Sequence, residues 1–322
     1  MHHPLRLLLP LLLGTACIRP IQSPPPLLLA ATPSPGRTAY FAALGTGDYA
    51  ALDGIIATLT QEADSGDITS RAVLGFAHAW RLSEWHRQPT DPTVTRHAAL
   101  AANAFEQASA ALPDDPRLVG FRGSFLQARG SIEDDPKLTR QGWFDTVDAS
   151  KAWPEWGKFT QAYGLITLST DHRLYNESIE LYWDNLDECA GAPVPRGPLD
   201  WRPYAAELDA NGSARDRRAC TNTTVAPHNV EGFFMVFGDH LAKAGDLELA
   251  RSMYENALNI DDGTWPHRAV AEARVADLQA LPERFSTSPE GGEVRAVTEM
   301  PVFGSAISCT ACHQATGTGV VE

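Results

Sequence analysis

The chain has 322 residues, 43% of them hydrophobic and 20% charged, enough for one large or two ordinary domains and too apolar for wholesale disorder. Its 26 basic against 40 acidic side chains give a formal net charge of −14, which disfavours nucleic acid as a partner because phosphates would be repelled. Five cysteines are few enough to be considered one by one.

The chain opens with a single base, Arg6, and an apolar run from Leu7 to Leu13 broken only by Pro10, followed by Gly14-Thr15-Ala16-Cys17. A base, a short apolar stretch and small residues predict a signal peptide over 1–16; the stretch is too short to cross a bilayer as a helix. Cys17 behind Gly-Thr-Ala resembles the lipobox of bacterial lipoproteins, whose cysteine is acylated and becomes the new N-terminus. The resemblance implies a lipid on Cys17, a periplasm-facing place in the bacterial cell envelope, and membrane contact through that anchor only. The alternative is a plain secreted chain, with a second possible cut after Leu27-Leu28-Leu29-Ala30-Ala31. Residues 17–36 hold the anchor and a proline-rich segment expected to form a semi-extended tether.

From 37 to 284 the pattern is helical: Ala and Leu dominate, and Pro, Gly and Asp punctuate. Phe234, Phe237, Gly238 and Leu241 recur at i, i+3, i+4 and i+7, one face of a helix. Ala244-Gly245-Asp246 supplies a turn, and Ala250, Tyr254 and Ala257 mark a second helical face. This pair, 233–262, resembles a tetratricopeptide repeat, with small residues where two helices cross and large ones between neighbours. Ala101, Phe105 and Ala108, followed by Pro113, give half of another repeat, with Leu74-Gly75 as a possible first helix and an extra stretch over 88–95. Further helices are expected over 118–130, 139–150, 156–168, 172–188 and 266–281. The resemblance implies an all-α, divergent tetratricopeptide-like array with a protein partner on its surface; an irregular helical array is the alternative.

Residues 190–229 are rich in Pro, Gly and Asn and are expected to form a long loop. Cys189 and Cys220 bracket most of it, and in an exported chain a disulfide is expected, worth about 3–4 kcal/mol by loop closure; two unpaired buried thiols are the alternative. Arg215, Arg217 and Arg218 read as a solvated cluster. Trp153-Pro154-Glu155-Trp156 and Trp265-Pro266-His267 read as aromatic packing at helix starts rather than ligand stacking.

The tail, 285–322, is expected to be irregular and ends in Met300-Pro301-Val302-Phe303-Gly304 and then Ser308-Cys309-Thr310-Ala311-Cys312-His313. Cys-x-x-Cys-His is the attachment sequence of c-type haem. Cysteines at i and i+3 lie on one side of a helical turn, within reach of two vinyl groups of one porphyrin, and the next residue faces the iron. The resemblance to c-type cytochromes is carried by Cys309, Cys312 and His313 alone. It implies one covalent haem c, with His313 as proximal ligand. A zinc site would need more ligands than the neighbouring sequence offers; a simple Cys309–Cys312 disulfide or free thiols stay open. The nine residues after His313 include neither Met nor His, so a sixth iron ligand is expected upstream, at Met300, His228 or His267. His240 reads as an ordinary surface histidine.

These features point first to an exported haem lipoprotein that transfers electrons to or from a docked partner. The competing functions are a periplasmic repeat scaffold with structural C-terminal cysteines, and an open-site haem enzyme or sensor. No Gly-rich phosphate loop, His-Glu-x-x-His or Gly-x-Ser-x-Gly sequence argues for another chemistry.

Overall fold

The computed structural model describes residues 33–87, 91–286 and 295–315. The signal peptide, Cys17 and most of the expected tether lie outside the described residues. Among those described there are fifteen α-helices and no strand beyond one isolated bridge, Thr223 to Ala226. In chain order they are α1 Pro35–Thr46, α2 Leu52–Asp64, α3 Ile68–Ser83, α4 Arg96–Ala111 and α5 Pro116–Ile132. Then follow α6 Pro136–Ala152, α7 Pro154–Tyr163, α8 Arg173–Ala190, α9 Arg202–Asn211 and α10 Ala214–Cys220. The last are α11 Asn229–Ala244, α12 Leu247–Ile260, α13 Arg268–Ala276, α14 Leu281–Ser286 and the four-residue α15, Thr310–His313.

Local chemistry accounts for many of the starts. Asp67, Asp115, Asp135 and Asp246 each accept a hydrogen bond from the first turn of the helix they precede, satisfying donors that have no intrahelical partner. Proline stands in the first turn of α1, α5, α6, α7 and α9, where its missing N–H costs nothing. Short turns fold α3 back on α2, α6 back on α5 and α12 back on α11. Crossings are close where glycine faces an aromatic ring. A Cβ on Gly75 would overlap Phe105, and one on Gly238 would overlap Tyr254.

Four sequence expectations change. The tether does not extend to residue 36: the Ser34 hydroxyl caps α1, and Glu62 accepts from Gly36 N at 2.8 Å. The segment 190–229 is not a loop throughout, because α9 and α10 lie within it. Pro203 enters the first turn of α9, and Ser213 with Asp216 forms a reciprocal capping box on α10. The predicted helix over 156–168 ends at Tyr163 and continues as a 3-10 turn, Gly164–Thr167. The sulfurs of Cys189 and Cys220 lie at bonding distance, 1.92 Å. The arginine cluster is not uniformly solvated. Only Arg217 is exposed, whereas Arg215 donates to the Ala152 carbonyl at 2.9 Å and lies over the Trp153 ring.

Apolar side chains gather in three clusters. Tyr40, Leu44, Leu52, Leu59 and Trp80 pack α1 to α3; Ala72, Ala101, Phe105 and Leu118 pack α3 to α5. The largest centres on Tyr182, Trp183, Phe234, Phe237 and Tyr254. The tail returns into this body. Val302 and Ala311 belong to the largest cluster, while Cys309 packs against the first. A buried ion pair pins it: Arg274 Nε lies 2.7 Å from Asp239 Oδ1, Val302 N donates to Asp239 Oδ2 at 2.6 Å, and Arg274 donates to the Met300 carbonyl at 2.9 Å. The tail thus bridges the first helices and α11. Among the described residues, no helix is long and apolar enough to cross a membrane.

Candidate functional site

The Cys309–His313 turn is held from two sides. On the first, α3 ends at Ser83, and Glu84 follows as its cap. One Glu84 oxygen accepts from Cys309 N at 2.6 Å and Thr310 N at 3.0 Å. The other accepts from Trp80 Nε1 at 2.7 Å and meets Arg87 Nε at 3.1 Å. Arg87 also donates to the carbonyls of Ala306 and Gly47, and Ala315 N donates to Gly45 O. Glu84 is completely buried. Burial pushes its carboxyl up to about 7, against the opposing pull of Arg87 and the amide donors. The Cys309 sulfur lies 3.0 Å from the Ser83 hydroxyl.

On the second side stands the first turn of α11. His228 N donates to the Cys312 carbonyl at 3.0 Å, and Trp265 Nε1 donates to the Ala311 carbonyl at 2.8 Å. Gly232 is glycine for a steric reason: a Cβ there would overlap the Cys312 sulfur. His313 Nδ1 lies 2.5 Å from the Val225 carbonyl, and burial holds the ring below its ordinary pKa. A neutral imidazole that donates from Nδ1 to a carbonyl keeps its Nε2 lone pair free, as metal-bound histidines do.

Burial pushes both thiols up, Cys312 to about 12, with the Glu84 charge adding to the effect at Cys309. They are therefore neutral at physiological pH, unlike reactive or redox-poised thiolates. A thioether is also neutral, so conversion to one would add no buried charge.

The candidates for a sixth iron ligand separate. His228 and His267 are 2% and 8% exposed, and the Nε2 of each has no hydrogen-bond partner. The His267 ring lies against the Thr310 backbone and the Gln314 side chain, and burial pushes it down to about 4. The His228 ring meets Glu231 instead, with Nδ1 3.3 Å from Oε1. Met300 is buried, its carbonyl held by Arg274 in the Asp239 corner. His240 is no surface residue: it is fully buried between the Tyr175 and Tyr182 rings, because the apolar face of α11 is wider than the i, i+3, i+4 stripe implied. The donor set contains the groups a c-type haem would need, with both sulfurs packed against protein, Cys309 at Ser83 and Cys312 at Gly232. It comprises two neutral thiols one turn apart, an imidazole with Nε2 available, and two further buried imidazole nitrogens without partners.

Sequence reasoning missed Glu84, Glu231, Asp261 and Gly232. Only His228-x-x-Glu231, an i, i+3 pair at a helix start, carried a local signal. A separate group of possible ligands, a ring nitrogen of His228 and carboxylate oxygens of Glu231 and Asp261, lies within 4.8 Å of one another and includes neither cysteine of the motif.

Compared with known proteins, the chain matches no family model, no curated protein and no solved structure.

Proposed function

We propose that this chain is an exported haem-bearing lipoprotein that passes electrons to or from a protein docked on its helical surface. The carrying observation is the His313 hydrogen bond to Val225 O, which leaves Nε2 available beside two neutral thiols one helical turn apart. Cys309 and Cys312 would form thioethers, each thiol proton passing to a vinyl carbon as sulfur bonds its neighbour, and His313 would ligate the iron. Bound haem would supply a one-electron Fe(III)/Fe(II) couple. His228, His267 and Met300 are the residues that could complete the coordination; both imidazoles are already engaged, His267 by the Thr310 backbone and Gln314 and His228 by Glu231.

The body reads as a divergent tetratricopeptide-like array. The Gly75–Phe105 and Gly238–Tyr254 crossings support this, with Ala101/Phe105/Ala108 and Ala250/Tyr254/Ala257 at the same i, i+4, i+7 spacing. Cys17 would carry the lipid and hold the protein in the envelope, and Cys17→Ser should release it to the soluble fraction.

Protein from a host that matures cytochromes c should retain haem stain after denaturing electrophoresis, and the Cys309→Ser/Cys312→Ser variant should not. A colourless wild-type protein would remove the haem reading. The scaffold reading would then stand, supported by how deeply the turn is built into the packing through Glu84, Arg87 and Trp265. High-spin iron that binds carbon monoxide readily would instead favour the open-site enzyme or sensor.

A further inference from the structure

Beside the haem-attachment turn lies a group of side chains that electron transfer does not use. His228 precedes α11 and Glu231 ends its first turn, so an i, i+3 spacing at a helix start brings imidazole and carboxylate together. Asp261 caps the end of α12 and approaches from the other side. One ring nitrogen of His228 and one carboxylate oxygen each of Glu231 and Asp261 lie within 4.8 Å of one another.

The state of these atoms matters more than their proximity. His228 and Glu231 are each 2% exposed. Glu231 Oε1 accepts from Asn222 Nδ2 at 3.1 Å and meets the His228 ring, but Oε2 has no partner, nor has His228 Nε2. An unsatisfied buried carboxylate oxygen is costly. Asp261 is better provided: it accepts from Gly263 N and Trp265 N, and Arg268 Nη1 lies 2.9 Å from Oδ2. The Arg268 side chain is 43% exposed and can yield its place to another cation. Two carboxylates and one imidazole converge where water is largely excluded, and two atoms of these residues, Glu231 Oε2 and His228 Nε2, have no partner.

We propose that His228, Glu231 and Asp261 bind a divalent first-row transition-metal ion. One nitrogen and two oxygen donors suit a borderline cation such as Zn2+ better than Ca2+, which wants more oxygens, or Cu(I), which wants thiolates. The ion would engage the carboxylate whose Oε2 lacks a partner and would tie α11 to the end of α12, next to the backbone that carries Cys312. The proposal is independent of haem and leaves His267 and His313 free.

The full-length mature chain carrying Cys309→Ser/Cys312→Ser, stripped with chelator, separates this site from both haem and thiol ligation. Titrated with Zn2+ in a calorimeter, it should bind one equivalent and gain melting temperature. Glu231→Gln should weaken that binding at least ~10-fold with an unchanged helical circular-dichroism spectrum, and Asp261→Asn should do likewise. Co2+ in the same protein should give visible d–d bands without the near-ultraviolet charge-transfer band of a thiolate ligand. Absence of saturable Zn2+ binding would overturn the proposal, as would a Glu231→Gln variant that binds as tightly as its parent. Haem staining of the protein with both cysteines intact should be unchanged by Glu231→Gln, so failure of one reading is distinguishable from failure of the other.

Discussion

Two buried glutamates flank the same short turn, and they differ in how fully their acceptor positions are used. Glu84, on the Cys309 side, has every acceptor position engaged: two backbone amides on one oxygen, an indole and a guanidinium on the other. Glu231, on the Cys312 side, has one oxygen engaged and one orphaned, beside an equally orphaned imidazole nitrogen. Both sit at helix ends and both are excluded from water. A carboxylate whose lone pairs are all used is a structural latch, since replacing it strands its donors. One whose lone pairs are left open is a ligand in waiting, since the fold loses little without it.

The largest effect that tests this contrast is removal of the latch. Glu84→Ala leaves Cys309 N, Thr310 N and Trp80 Nε1 without an acceptor and Arg87 without its carboxylate, and should cost ~3–5 kcal/mol in a denaturant titration. A cost as small as that of an ordinary surface substitution would erase the distinction between the two glutamates.

The same carboxyl should leave a mark on the pH dependence. Its folded pKa, about 7, lies above the ordinary value of 4.5, so the folded state holds the proton more tightly than the unfolded one. The contribution is fully present below pH 4.5 and is lost as pH rises to about 7, amounting to on the order of 3 kcal/mol. Glu62, Asp67, Asp187 and Asp261 are shifted downward and tilt the profile the opposite way. The difference between wild type and Glu84→Gln therefore isolates the signal: stability differences measured at pH 5 and pH 8 should diverge in that sense.

On the other side the contact is steric. Gly232→Ala places a methyl group on the Cys312 sulfur and should cost ~1–3 kcal/mol by overpacking, partly offset by the ~1 kcal/mol that alanine gains over glycine inside a helix. Combined with Cys312→Ala the penalty should vanish, so a double-mutant cycle reads the contact directly. Equal penalties in both backgrounds would mean that the turn does not dock on α11.

The smallest expected effect is the sharpest on the contrast itself. In metal-free protein Glu231→Gln should change stability by less than ~1 kcal/mol, because it removes a buried charge whose hydrogen bonding is already incomplete. A loss comparable with that of Glu84→Ala would make Glu231 a second latch.

The amino-acid order alone determined the helical body, the breaks between helices and the small-to-aromatic crossings of α3 with α4 and α11 with α12. Those signals are local: periodicity, caps, and glycine or proline placed where a turn must occur. It also singled out Cys189 with Cys220, since few partners were available, and the Cys309-x-x-Cys312-His313 turn, since one helical turn contains the motif. The helices within 190–229 escaped notice because Pro and Gly composition outweighed Ser213 and Pro203 as start signals. What surrounds Cys309 and Cys312 was decided only by tertiary structure. Glu84 lies 225 positions from Cys309, and Asp261 lies thirty positions beyond Glu231, separations at which no period or spacing carries information. Whether a buried carboxylate is satisfied or left open depends on donors delivered by other helices, and that count exists only once the chain has closed on itself.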